Sequence, residues 1–192
     1  MEIAEPVNKH SRDPDFIGIG DHKAATTWIF QCLIEHPDIC GSSRKEVHFF
    51  DKWYNYKKGV DHYRSFFDHC HPHKVKGEFT PKYIFLPEAA ERIKKHYPEV
   101  KLIACLRDPV ERAFSQYKYG IQRKSILASY KNFREAIEKE PDIRDRGFYS
   151  RHLSRFFQLF PSENILILIY EELQAQPLAT IQRIYSFLGV RS

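Results

Sequence analysis

The stretch Phe16-Ile17-Gly18-Ile19-Gly20-Asp21-His22-Lys23-Ala24-Ala25-Thr26-Thr27-Trp28 decides the fold. Phe16 to Gly20 reads as a short buried strand ending on glycine. Thr26 to Glu35 reads as a helix, with Trp28, Ile29, Cys32 and Leu33 at helical spacing and His36-Pro37-Asp38 closing it. A strand that turns tightly into a helix presents unpaired N–H groups and a partial positive charge, which suits phosphate. Lys23 adds a full charge; Thr26 and Thr27 add hydroxyl donors. The nucleoside-triphosphate loop GxxxxGK[ST] sets its Lys directly before Ser or Thr. Lys23 stands three residues before Thr26, so that motif is not matched. Taken alone, an ordinary strand, turn and Thr-capped helix remains the plain alternative.

The same alternation continues along the chain. Lys74 to Glu78 and the apolar Lys101 to Leu106 read as strands, and Asn164 to Tyr170 as the strongest strand. Residues 46–50 read as a strand or extended loop, and 60–68 as a short helix with Tyr63, Phe66 and Phe67 on one face. Helices are expected at Pro87 to His96, Asn132 to Lys139, Ser150 to Phe160 and Pro177 to Leu188, the last stopped by Gly189. Asp108-Pro109 opens another helix, with Val110, Ala113, Phe114 and Tyr117 on one side. Strand and helix in turn predict an α/β fold: a parallel sheet with helices on both faces. Residues 1–14 read as a flexible lead-in to one domain over 15–192.

Composition agrees with a globular domain. The 192 residues are 42 % hydrophobic and 29 % charged, which excludes wholesale disorder and collagen-like or coiled-coil chains. Fifteen Phe and eleven Tyr point to a core and clefts lined by flat side chains. The net charge of +5 suits a polyanionic ligand but is too small and too evenly spread to indicate nucleic acid. No apolar run has the roughly 20 residues of a membrane helix. Cys32, Cys40, Cys70 and Cys105 form no CxxC pair and read as buried free thiols in a reducing compartment. His69, His71 and His73 alternate around Cys70 and Pro72; the run reads as a solvated loop ahead of a metal site.

A second constellation follows the strand 101–106. Arg107 stands at the carboxyl edge of the sheet, where ligands bind in open α/β folds. Ser115 lies about two helical turns further on, so a guanidinium and a hydroxyl can converge on one phosphate. The plain alternative is a surface pair between Arg107 and Asp108 or Glu111.

Together these segments resemble the sulfotransferases that use 3′-phosphoadenosine 5′-phosphosulfate (PAPS). Lys23 to Trp28 is similar to their KxGTTW loop, and Arg107 and Ser115 to their 3′-phosphate motif. Lys45-Glu46-Val47-His48-Phe49-Phe50-Asp51 resembles the KE-x-HFFD segment of the glycosaminoglycan (heparan sulfate) branch and its bacterial relatives. Gly77 to Tyr83 resembles that branch's EKTPxY segment, and Arg146 to Tyr149, Ile165 to Leu173 and Phe187-Leu188-Gly189 follow the family's second half. The ordered set spans about residues 15–190, and it implies a P-loop-like sheet.

The resemblance implies sulfuryl transfer from PAPS to a hydroxyl or amine, on a carbohydrate, with no metal. Lys23 would neutralise the leaving phosphate oxygen. Thr26, Thr27 and the backbone from Ala24 through Ala25 would hold the 5′-phosphate, and Arg107 and Ser115 the 3′-phosphate. Trp28 is expected either against the adenine or in the core. Glu46 is the expected general base and His48 its rival, both on one side of a strand. Lys45 would touch an anionic acceptor. Two positions depart from the pattern. The loop glycine is Ala25, which implies weaker binding, and the Lys of EKTPxY is Phe79, for which Lys82 is the substitute. The family usually continues past this chain's end into a segment that covers the cofactor. A P-loop kinase and a non-catalytic nucleotide-binding module stand as alternatives. The expected location is cytoplasmic, or the Golgi lumen if an N-terminal anchor precedes this chain.

Overall fold

In the computed structural model, residues 11–191 are described. Among them five strands form one parallel sheet: β1 (Phe16–Gly20), β2 (Ile39–Gly41), β3 (Val75–Phe79), β4 (Lys101–Leu106) and β5 (Ile165–Ile169), in the order β2-β3-β1-β4-β5. The helices are α1 (Thr26–Glu35), α2 (Trp53–Tyr56), α3 (Val60–Arg64), α4 (Pro87–His96), α5 (Pro109–Gln122), α6 (Phe133–Lys139), α7 (Pro141–Asp145), α8 (Tyr149–Leu159), α9 (Tyr170–Ala175) and α10 (Pro177–Leu188). The α/β architecture expected from the alternation is the one observed. β2, α2, α7 and α9 were not foreseen.

Strand residues alternate between two cores. Ile17, Ile19, Leu102 and Ala104 face Phe49, Phe50, Tyr63, Tyr83, Ile93 of α4 and Phe156 of α8. Phe16, Ile103, Cys105 and Leu168 face Ile29, Phe30 and Leu33 of α1 and Ile181 and Ile184 of α10. Both sheet faces are therefore covered by apolar side chains, as the near-continuous apolar strands require. The aromatic content is concentrated on the first face, where the Phe49 ring lies 4.9 Å from both Phe50 and Tyr63.

Local chemistry sets the helix ends. Asp108 accepts from Val110 N and Glu111 N at 2.9 Å, and Pro109 takes the first helical position of α5. Gly189 ends α10 with φ 81°. The expected apolar side of α5 needs correction: Ala113 and Tyr117 are buried, but Val110 and Phe114 are exposed. Arg112 takes the inward place instead, donating to Gln116 and Ile143 and facing the buried Asp21.

The thiols also need correction. Cys105 is buried and free and Cys32 half-buried, but Cys40 and Cys70 are joined in a disulfide. Of the expected lead-in, residues 1–10 lie outside the described residues. Asp13 and Pro14 are buried, and Asp13 accepts from Arg64 Nε at 2.8 Å.

Every strand delivers its carboxyl end to one edge. The segments that follow β1, β2, β3 and β4 hold Lys23, Glu46, Lys82 and Arg107 respectively. That is the edge at which open parallel sheets bind ligands.

Candidate active site at the carboxyl edge of the sheet

The turn after β1 approaches its neighbours closely. A Cβ at Gly18 would run into the Phe79 ring, so only glycine fits there. Beyond Gly20, Lys23 and Ala25 take left-handed backbone angles, φ 73° and 57°. At the position where the motif has glycine, Ala25 thus takes the left-handed conformation that glycine adopts most readily. It stands at the N-cap of α1 without offering a side-chain cap, so the first-turn N–H groups stay available to an anion. Ala24 is buried against the sheet, Thr26 is buried and Thr27 exposed.

Two cations converge on this turn. Arg107 donates through Nη1 to the Lys23 carbonyl at 3.3 Å, and its guanidinium lies 4.6 Å from the Tyr170 ring centre. Its contact with the exposed Glu111 is long, 3.4 Å, and its buried Nε has no partner. Lys23 Nζ stands 4.1 Å above the Tyr119 ring. Partial burial, with the Arg107 charge adding to it, pushes the Lys23 ammonium below its ordinary pKa. An orphaned guanidinium N–H beside an uncapped helix start fits an anionic group.

Ser115 is half-buried two turns into α5. Among the described residues no hydrogen bond or ion pair joins it to Arg107. Trp28 is 41 % exposed, which excludes the core placement. It lines a groove of about 470 Å³ between α1 and the start of α10.

The 42–50 segment is a loop, not a strand. Val47, Phe49 and Phe50 are buried and anchor it, while Glu46 and His48 take left-handed angles, φ 60° and 55°. The two polar side chains still meet, but through these turns and not through strand alternation. His48 Nε2 lies 3.4 Å from Glu46 Oε2, and His48 Nδ1 2.8 Å from Asp51 Oδ2. Lys45 Nζ donates to Glu46 Oε1 at 3.1 Å. The buried Asp51 chiefly, then Glu46, raises the His48 pKa to about 9. The His48 hydrogen bond, with the Lys45 charge assisting, lowers the Glu46 pKa to about 2. At neutral pH the arrangement is an ionised carboxylate between an ammonium and an imidazolium.

Glu46 and His48 share a cleft of about 200 Å³ with His22, Pro81, Lys82 and Arg146. Burial, then the Arg146 and Lys23 charges, depresses the His22 pKa to about 4, so its ring is neutral. Lys82 is exposed on the rim. Phe79 is fully buried against Phe30 and points away from the cleft. The sequence patterns assign no role to His22, Asp51 or Arg146. For Asp51 a signal existed, since it stands three residues beyond His48 in the same run; Arg146 comes from a distant helix end.

The sulfotransferase domain model matches residues 13–192, nearly the whole chain. The chain belongs to the sulfotransferase domain family. This sulfotransferase-family chain is 33 % identical over 187 residues to a heparan sulfate glucosamine 3-O-sulfotransferase 5 from Mus musculus. The alignment covers 92 % of this chain and 54 % of that protein, so the chain spans about half the length of this curated relative. A sulfotransferase from Alicyclobacillus acidocaldarius superposes with a TM-score of 0.83 at 27 % identity, over 93 % of this chain and 82 % of that one. A mouse sulfotransferase solved with PAP shares the fold, with a TM-score of 0.65 at 18 % identity over 93 % of this chain and 59 % of the other. Among the described residues no helix is long and apolar enough to cross a membrane.

Proposed function

We propose that this chain transfers a sulfuryl group from PAPS to a hydroxyl or amine of a carbohydrate. One observation carries the reading: the Lys23–Arg107 pair and the Glu46–His48 pair stand at the same sheet edge, in a domain of this family. The heparan sulfate relative supports a sugar acceptor, and the PAP-bound neighbour supports the nucleotide.

PAPS supplies an activated sulfuryl group on a phosphate that serves as leaving group. The backbone N–H groups from Ala24 to Thr27, at the start of α1, with the Thr26 and Thr27 hydroxyls, hold the 5′-phosphate. Lys23 offsets the charge that grows on the bridging oxygen, and its depressed pKa fits a desolvated site. Arg107 and Ser115 hold the 3′-phosphate. Trp28, exposed beside α1, offers its ring to the adenine.

Glu46 accepts the proton of the attacking hydroxyl. A carboxylate with pKa near 2 is a weak base, and the His48 hydrogen bond is the main reason for that value. A hydroxyl that takes over part of this contact makes Glu46 more basic as it approaches. His48, already charged and held by Asp51, has no free lone pair for the proton. Its role is to orient Glu46. Lys82 and Arg146 line the cleft and Lys45 is paired with Glu46 beside it, a positive charge that suits an anionic sugar.

Calorimetric titration with adenosine 3′,5′-bisphosphate tests the nucleotide site. The chain should bind, and Arg107→Ala should weaken binding at least tenfold, as loss of a charge-assisted contact implies. No binding by the parent, or unchanged binding by the variant, removes the site. The alternatives of a kinase and a non-catalytic module find no support among the relatives.

A further inference from the structure

Cys40 lies in β2, held by its parallel register with Lys76, and Cys70 lies in the turn before β3. Their Cα atoms are 5.8 Å apart and their sulfurs are bonded. A third donor stands beside them. His69 Nε2 lies 3.6 Å from Cys40 Sγ and 3.7 Å from Cys70 Sγ. The three donor atoms lie within 4.8 Å of one another. Both cysteines are half-buried and His69 is exposed, so solvent reaches the group without unfolding.

The spacing is that of a coordination sphere. A tetrahedral zinc with Zn–S of about 2.3 Å and Zn–N of about 2.0–2.1 Å separates its S and N ligands by about 3.5–3.6 Å. Both S–N edges, 3.6 and 3.7 Å, lie within about 0.2 Å of that length. The remaining S–S edge, about 3.8 Å in such a sphere, opens when the disulfide is cut. A disulfide that only ties β2 to its neighbour needs no imidazole at this distance from both sulfurs. The sequence hides the group, because Cys40 stands 30 residues from the His-rich run that supplies the other two ligands.

We propose that Cys40, His69 and Cys70 form a redox-gated site for a borderline or soft transition-metal ion such as Zn²⁺. The site is closed while the disulfide stands. A dithiol reductant gives two electrons and two protons to the Cys40–Cys70 bond and becomes a cyclic disulfide, leaving two thiols. The divalent ion then binds both sulfurs and His69 Nε2, releases the two thiol protons and keeps a water as fourth ligand. The site immediately precedes the segment that carries Lys45 and Glu46, so disulfide and metal are alternative anchors for that loop.

The test uses the untagged full chain, reduced by a dithiol that is then removed under argon. Cobalt(II) is the probe, since thiolate ligation gives it a charge-transfer absorption. The reduced chain should take up one Co²⁺ with that band, and the oxidised chain should show none. Cys40→Ser and Cys70→Ser should lose the band, His69→Ala should weaken binding at least tenfold, and Cys32→Ser should change nothing. Absence of the band in the reduced parent overturns the proposal without recourse to any variant. So does a band that survives both Cys40→Ser and Cys70→Ser, or binding that depends on His71 and not on His69. Loss of the native far-UV circular dichroism on reduction also overturns it, because the site needs the folded β2–β3 frame.

Discussion

His48 Nε2 lies 3.4 Å from Glu46 Oε2, and both residues reach that contact from left-handed backbone turns. A left-handed angle at a residue other than glycine is uncommon, and two of them in three residues mark a loop held in place by its surroundings. Here the buried Val47, Phe49 and Phe50 do the holding. The pair therefore meets in the free protein, before any ligand arrives.

The pair sets a pH dependence of stability. The His48 pKa rises from 6.5 to about 9 on folding, so its contribution is complete below 6.5 and is lost as pH rises through about 9. The Glu46 pKa falls from 4.5 to about 2, so its contribution is present above 4.5 and is lost as pH falls through about 2. Between about pH 6.5 and 9 the parent should lose Tm that a His48→Gln variant, already lower, does not lose. Thermal scans across that range check it. Parallel curves for parent and variant would count against a charged His48.

Ala25 carries a Cβ at φ 57°. Left-handed backbone costs an ordinary residue about 1–2 kcal/mol, and glycine avoids that cost. Ala25→Gly loses about 0.4–1 kcal/mol through the freer unfolded chain. The net expectation is a stabilisation of about 0–1.6 kcal/mol, together with tighter binding of adenosine 3′,5′-bisphosphate. Calorimetry and urea melts read both. Weaker nucleotide binding in the glycine variant would show that the Cβ does not crowd the phosphate.

Phe79 stands where the motif has Lys, yet its ring is fully buried over Gly18 and against Phe30. Restoring the charge should therefore break the core instead of repairing a ligand contact. Phe79→Ala should cost about 3–5 kcal/mol, and Phe79→Lys at least as much. At this chain length that is a Tm fall on the order of 10 °C. A folded Phe79→Lys variant with parental Tm would mean that the side chain turns outward.

The sheet was legible because its strands are short apolar runs and its helices start and stop on strong signals, Asp108-Pro109 and Gly189 among them. The phosphate-facing turn was legible for the same reason: a strand, a glycine and a helix start fix where Lys23 must lie. Other features lay beyond the sequence. Residues 46–50 alternate like a strand, and only the packing of Val47 and Phe49 shows that Glu46 and His48 turn out through positive φ angles. Periodicity placed Val110 and Phe114 inside; the inward place went to Arg112, which the buried Asp21 and the Ile143 carbonyl receive. The Cys40–Cys70 bond and the Arg146 wall of the cleft join segments far apart in sequence, where local patterns carry no signal.

The most direct test is sulfuryl transfer itself, read by mass spectrometry with PAPS and a panel of glucosamine-containing oligosaccharides. The parent should add one sulfate to an acceptor of the panel, and Glu46→Gln should lower kcat by about 10²-fold or more while still binding adenosine 3′,5′-bisphosphate. A parent chain that binds the nucleotide but transfers nothing, or a Glu46→Gln variant with full activity, would contradict the account.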